Sequence, residues 1–215
     1  MNIEEKFVFD LEGYIVIKGV LSPDEVAELN DLADRKFETY PYGGAEQGRE
    51  MSLIPWGDPV KKLIDHPRVL PYLLELLGPR WRRDHDYGMF MRPGDRHGGL
   101  HGGHGGFACV PGSHKSNFST AEIPEDIRDF TRAAHYVVQP VAAAGDALIF
   151  TEATIHGTFP WRAPHERRAL LFKYSPGHSS WALDYYDRFD VGSLTERQQR
   201  LMAPPSVEKH PDVAT

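Results

Sequence analysis

A chain of 215 residues, 40% of them hydrophobic and 26% charged, has the composition of a folded globular protein, which excludes a disordered chain and a fibrous repeat. Its formal net charge of −7, without a lysine and arginine run, argues against binding to nucleic acid or to an anionic membrane, so a small molecule is the expected partner. No apolar run approaches the length of a membrane span, and the acidic start does not resemble a secretory signal, which predicts a cytoplasmic protein.

Residues 1–80 are predicted to form a mostly helical layer. A short β-branched run over 14–17 precedes the sequence SPDE at 22–25, which fits a capping box and opens an amphipathic helix. A second amphipathic helix is predicted over 69–77, because a glycine and a proline follow it directly.

Beyond residue 80 the chain changes to short alternating or β-branched runs separated by Gly, Pro and Asp turns. This pattern is typical of an antiparallel sandwich or barrel. The predicted strands are 86–91, 100–102, 107–110, 136–141, 147–151, 155–158 and 168–174. We expect a single domain over 1–202, with strands over 81–178 and a C-terminal helical segment over 179–202, and a poorly ordered proline-rich tail over 203–215.

Two of the 11 histidines lie at predicted strand ends beside glycine, where a ligand can approach closely. They are His101 in GGLHGG and His156 in TIHGTF. Neutral imidazole is a common ligand of divalent iron, zinc and copper, although a single such histidine is more often bonded to a backbone carbonyl. Other residues are given structural roles: Cys109 as an inert core thiol, His85 and His114 as backbone or core imidazoles, and Trp161 as a packing residue.

Five stretches of the chain carry a resemblance to a known family. They are FDLEGYIVIKGVLSPDEVAEL, MRPGD, LHGG, GGFACVPGSHKSN and GDALIFTEATIHGTFPWRAPHERRALLFKYSPGH. Together they resemble the phytanoyl-CoA dioxygenase-like family of Fe(II)/2-oxoglutarate-dependent oxygenases. The last stretch is the most specific, because it combines a turn, an apolar strand, a histidine and, eleven residues later, an arginine that opens another strand.

The resemblance implies a mainly β fold with flanking helices, a double-stranded β-helix of the jelly-roll, cupin-like kind. It implies that His101 and His156 ligate Fe(II), and that Arg167 grips the far carboxylate of 2-oxoglutarate, as a guanidinium can do with two bonds. Thr158, two residues after His156, is expected to donate its hydroxyl to the same carboxylate. The implied reaction hydroxylates an aliphatic carbon of a small molecule with O2, releasing succinate and CO2.

The third iron ligand departs from the family pattern, in which His-x-Asp/Glu supplies a carboxylate. Here Gly103 occupies that position, so no side chain from 103 reaches a metal. The alternatives are a carboxylate from Asp95 or Glu152, a water molecule, or His104 as a third imidazole. A small residue here is also found in related halogenases, where a halide occupies the open position.

The join after residue 103 is abrupt, because relatives carry further strands between LHGG and GGFACVPGSH. We therefore expect a shortened or missing hairpin there, and a jelly roll without it exposes strand edges that favour a homodimer. Three functions other than hydroxylation stay open: a non-catalytic metal or 2-oxoglutarate binding protein, a halogenase, and a three-histidine dioxygenase that uses His104.

Overall fold

A computed structural model describes residues 1–39, 49–51, 53–93, 106–118, 120–128, 134–181 and 191–214 of the chain. The chain divides into two compact units. The first contains Met1–Pro23 and Phe90–Arg168, and the second contains Asp24–Met89 and Ala169–Thr215.

Six α-helices lie within the described ranges: α1 Ile3–Glu12, α2 Pro23–Thr39, α3 Asp58–Lys61, α4 Leu70–Leu77, α5 Glu125–Arg128 and α6 Glu196–Leu201. The two predicted helices correspond to α2 and α4, and α4 ends at Gly78 as expected. Helix α1 was not predicted, because its apolar residues form no buried face, but Asn2 and Glu5 cap it with reciprocal bonds. None of the helices in the described part of the chain is both long and apolar enough to cross a bilayer.

Seven strands make the described part of the protein mainly β: β1 Tyr14–Ile17, β2 Arg49–Met51, β3 Trp81–Met91, β4 Gly106–Cys109, β5 Ala147–Phe150, β6 His156–Phe159 and β7 Arg167–Pro176. β1 pairs antiparallel with β5, and β4 pairs antiparallel with β6. A third sheet has the order β2-β3-β7. The predicted strands over 107–110, 147–151, 155–158 and 168–174 correspond to β4 to β7.

Two strand predictions need correction. The run 136–141 is not a strand: within the described residues it contributes one isolated bridge, between Val138 and Cys109, because Pro140 has no N–H with which to continue a ladder. Strand β3 starts at Trp81 rather than 86, since the charged residues that precede 86 are buried. Strand 100–102 lies outside the described residues, as does the join after 103.

The charged start of β3 is held in the interior by ion pairing within the strand. Arg82 Nη1 donates to Asp84 Oδ2 over 3.2 Å, and neither side chain is exposed. Asp84 also accepts hydrogen bonds from His85 and from the backbone N–H of Trp181. Burial opposes ionisation of Asp84, but these bonds hold its pKa at about 2. The predicted structural role of His85 agrees with this arrangement.

The tail that was expected to be poorly ordered instead packs within the second unit. Val213 is 0% exposed and belongs to an apolar core that includes Leu201 and Met202. Its backbone N–H donates to the Pro79 carbonyl over 3.0 Å. Buried side chains and backbone bonds, among them the Ser206 N–H to the Gly177 carbonyl over 2.8 Å, therefore anchor a segment whose composition alone indicates disorder.

Candidate functional site

The β4-β6 ladder of the first unit determines where His156 lies. His156 pairs with Cys109, and Thr158 pairs with Phe107. Because side chains alternate along a strand, these four side chains share one face of the ladder, whereas Phe159 lies on the other face, where it is buried. The register therefore places Thr158 on the same face as His156, as expected; its role toward a cofactor stays a prediction.

The imidazole of His156 has a defined orientation. Its Nδ1 lies 2.7 Å from the carbonyl oxygen of Thr154, and because a carbonyl only accepts, Nδ1 must carry the proton. The lone pair of the neutral ring is then on Nε2. Phe150 and Phe107 flank the ring, with centroid distances of 4.7 Å and 6.0 Å. An exposed imidazole that is protonated at Nδ1 and carries its lone pair on Nε2 fits the chemistry of a metal ligand.

The described part of the chain does not complete a metal site on His156 by itself, because it contains no group of three or more His, Cys, Asp or Glu residues that could hold an ion. Glu152, one of the proposed carboxylates, is described and exposed and forms no such group with His156. His101, His104 and Asp95 lie outside the described residues, so their part in a metal site stays a prediction.

Arg167 opens β7, and its side chain is partly buried. Its Nη1 lies 3.7 Å from Met91 Sδ, and a thioether is a weak acceptor. Burial lowers the pKa of the guanidinium. Within the described ranges no carboxylate lies at salt-bridge distance from Arg167, whereas the adjacent Arg168 pairs with Glu166 over 3.3 Å. A partly buried guanidinium without a carboxylate partner among the described residues is suited to an anionic ligand, because a counterion offsets the cost of its desolvation.

The remaining residues singled out in the sequence have structural surroundings. Cys109 is buried, as expected of a core thiol, and burial raises the pKa of its thiol to about 12. His114 Nε2 lies 3.0 Å from the Asp10 carbonyl, the backbone bond expected of a turn histidine. Trp161 donates its indole N–H to the His165 carbonyl.

Sequence reasoning missed Thr154 and Phe150, which contact the His156 ring through a carbonyl and an aromatic face. Both are uncharged residues in the stretch GDALIFTEATIH, where their side chains indicate only a structural role. The available signal was their closeness to His156 along the chain, which says nothing about ring orientation until the turn between β5 and β6 is known.

Comparison with known families gives one match. Residues 103–169, which include β4, β5, β6 and Arg167, match the family model described as Phytanoyl-CoA dioxygenase (PhyH). This confirms the predicted likeness to the phytanoyl-CoA dioxygenase-like family. No significantly similar sequence was found among curated proteins.

Solved structures share the fold at low sequence identity. HygX from Streptomyces hygroscopicus, with nickel and 2-oxoglutarate bound, is 22% identical with a TM-score of 0.72 and covers 84% of this chain and 89% of its own. EctD from S. alaskensis, with bound Fe, is 17% identical with a TM-score of 0.67, covering 82% and 77%. SnoK, a non-heme alpha ketoglutarate dependent carbocyclase from nogalamycin biosynthesis, is 17% identical with a TM-score of 0.66, covering 91% and 94%.

Proposed function

We propose that the protein is a non-haem Fe(II)/2-oxoglutarate-dependent oxygenase that hydroxylates an aliphatic carbon of a small molecule. The observation that carries the proposal is the partly buried guanidinium of Arg167, which lacks a carboxylate partner within the described residues and lies in the same unit as His156. The family match, and the iron and 2-oxoglutarate bound in the HygX and EctD structures, support the same cofactor pair.

Each predicted site residue has a place in this function. His156 binds iron through Nε2, together with His101. Arg167 forms two hydrogen bonds with the far carboxylate of 2-oxoglutarate, and Thr158 adds a hydroxyl donor. Because Gly103 contributes no carboxylate, a water molecule or a remote side chain completes the metal site. The strands belong, in this proposal, to a jelly roll in a cytoplasmic enzyme.

When bound, Fe(II) and 2-oxoglutarate together activate O2: one oxygen atom enters succinate as CO2 is lost, and the other replaces a substrate C–H bond with C–OH. The chain's own contribution is positional. The aromatic side chains of Phe107 and Phe150 flank the His156 ring, and the partial burial of Arg167 strengthens its pairing with a carboxylate because the local dielectric is below that of water.

The test is succinate formation by protein reconstituted with Fe(II) and supplied with 2-oxoglutarate, O2 and a panel of small aliphatic substrates. We expect succinate from the wild type and none above background from His156→Ala. Arg167→Ala is expected to lose turnover, whereas Arg168→Ala, its neighbour on β7, is expected to keep it. An Arg167→Ala variant with wild-type turnover would contradict the proposal.

The same assay separates the other readings of the sequence. Tight 2-oxoglutarate binding without succinate identifies a non-catalytic binding protein. Succinate accompanied by a chlorinated product in chloride buffer identifies a halogenase. Oxygen consumption that does not depend on 2-oxoglutarate identifies a three-histidine dioxygenase.

A further inference from the structure

The turn between β5 and β6 carries the carbonyl that orients His156, and two distant parts of the chain anchor this turn. Thr154 is 1% exposed, and its Oγ1 donates to the Gly13 carbonyl over 3.2 Å. The same Gly13 carbonyl accepts from the Thr151 N–H over 3.0 Å. Gly13 ends α1 in the left-handed region, with a φ of 81°. The end of α1 therefore holds both ends of the turn.

A second anchor comes from the turn that follows β4. Ser113 Oγ accepts from the Ile155 N–H over 2.8 Å and donates to the Val110 carbonyl over 2.6 Å. Val110 in turn donates its N–H to the Ile155 carbonyl over 2.9 Å. Both the N–H and the carbonyl of Ile155 are thus hydrogen-bonded. Because the Ile155 N–H belongs to the same peptide group as the Thr154 carbonyl, these bonds restrict rotation of the carbonyl that faces His156.

The packing around Gly13 shows how closely these anchors fit. A Cβ at position 13 would overlap Thr154 Oγ1 and would lie 2.5 Å from His114 Nδ1. Three of the sequence stretches that carry the family resemblance therefore meet here. Gly13 lies in the first, in EGY, and Ser113 and His114 lie in the second, in PGSH. Both contact the turn of the third stretch, EATIH. Their contacts define the position of that turn.

We propose that Thr154, with Ser113, is a positioning residue for the metal ligand: its buried hydroxyl fixes the carbonyl that keeps the His156 ring protonated at Nδ1 and its Nε2 free. The inference rests on the proposed function for the identity of the metal, but the orientation of the ring does not depend on it. Outer hydrogen bonds of this kind typically change metal affinity by roughly 10- to 100-fold when they are lost.

The test compares Thr154→Val, which keeps the shape of the side chain but loses the hydroxyl, with Thr154→Ser, which keeps the hydroxyl. The matched control is Thr151→Val. It removes a hydroxyl that accepts from the Ala153 N–H over 3.0 Å, but it keeps the Thr151 backbone N–H that donates to the Gly13 carbonyl. Co(II) binding is measured by visible absorption on the full chain, and the His156 tautomer is measured by ¹⁵N NMR of the metal-free protein at mildly alkaline pH, where an imidazole is neutral.

We expect Thr154→Val to weaken Co(II) binding on the order of tenfold and to give a mixture of tautomers at His156. Thr154→Ser and Thr151→Val are expected to stay within about threefold of wild type and to keep the Nδ1-protonated form. Wild-type affinity and a single tautomer in Thr154→Val would overturn the inference. If the wild type binds no Co(II), the proposed function fails, and the tautomer comparison still decides the role of Thr154.

If Thr154→Val does not fold, Ser113→Ala provides the second variant. It leaves the Ile155 N–H without its acceptor at the other anchor of the turn. The same loss of Co(II) affinity and the same tautomer mixture are expected, and an unchanged tautomer in a folded Ser113→Ala variant would contradict the shared role of the two anchors.

Discussion

The side chain of Arg167 lies directly against the α-carbon of Gly106. A Cβ at position 106 would lie 3.2 Å from Arg167 Nε and 3.7 Å from Gln139 Nε2. Gly106 also has a φ of 104°, a conformation that side chains disfavour. Because Gly106, the first residue of β4, has no side chain, there is room beside it for the Arg167 guanidinium, which we propose as the 2-oxoglutarate anchor.

Gly106→Ala is expected to lower the free energy of unfolding by about 1–3 kcal/mol through backbone strain and to weaken 2-oxoglutarate binding by displacing Arg167. The control is Gly78→Ala, because Gly78 has a φ of 75° and open space around its α-carbon. It is expected to lose stability with unchanged 2-oxoglutarate affinity. Calorimetric titration measures the 2-oxoglutarate affinity of the two variants, and thermal unfolding measures their stability. Equal 2-oxoglutarate affinity in the two variants would contradict a 2-oxoglutarate site at Arg167 beside Gly106.

Arg167→Lys is expected to weaken 2-oxoglutarate binding roughly 10- to 100-fold, because an ammonium cannot form the two parallel bonds of a guanidinium. Arg168→Lys, on the adjacent residue of β7, keeps an ion pair with Glu166 within reach and is expected to bind as the wild type does. Dissociation constants measured with Co(II) present distinguish the two. If both variants lost 2-oxoglutarate affinity to a similar extent, the loss would come from altered surface charge or stability and not from a specific contact of Arg167.

Asp146 makes the first unit sensitive to acid. Its carboxylate accepts from the Gly19 N–H, the Ala143 N–H and Lys18, each at 2.8–2.9 Å, and these bonds lower its pKa from 3.8 to about 2. Because the folded-state pKa is the lower one, its contribution to stability is present above about pH 4 and is lost as the pH falls toward 2. Asp146→Asn is therefore expected to lower Tm at neutral pH and to flatten the decline of Tm between pH 4 and 2.

A matched control for Asp146 is Asp58→Asn, which removes an exposed ion pair with Lys61 of 3.2 Å. Exposed pairs contribute little to stability, so its Tm is expected to follow that of the wild type across the same pH range. If Asp58→Asn flattened the decline of Tm between pH 4 and 2 as much as Asp146→Asn does, the hydrogen-bonded carboxylate of Asp146 would not be the cause of that decline.

Val213→Ala is expected to lower the free energy of unfolding by about 2 kcal/mol, because it removes buried methyl groups from the core of the second unit. Val207→Ala provides the control in the same tail, since Val207 is 82% exposed. Its unfolding free energy is expected to stay within about 0.5 kcal/mol of wild type. Urea denaturation measures both, and equal values would mean that the tail does not pack.

The local pattern of the chain was enough to predict α2, α4 and strands β4 to β7, because each element depends on the alternation or periodicity of its own residues. The stretch from β5 to β7 also identified His156 and Arg167 as candidates, through a resemblance that the family match confirms. Sequence likewise predicted that Thr158 would share the face of His156, since side-chain alternation in a strand is a local property.

Only the tertiary structure decided which way the His156 ring faces, because the Gly13 and Ser113 groups that hold its carbonyl partner are more than 40 residues away along the chain. The same reason explains the packed tail: the hydrophobic pattern reports a residue's own polarity, whereas burial of Val213 depends on partners supplied from elsewhere in the chain, such as the Pro79 carbonyl. Arg167 combines both cases, since its position was readable from the sequence but its burial against Gly106 and Met91 was not.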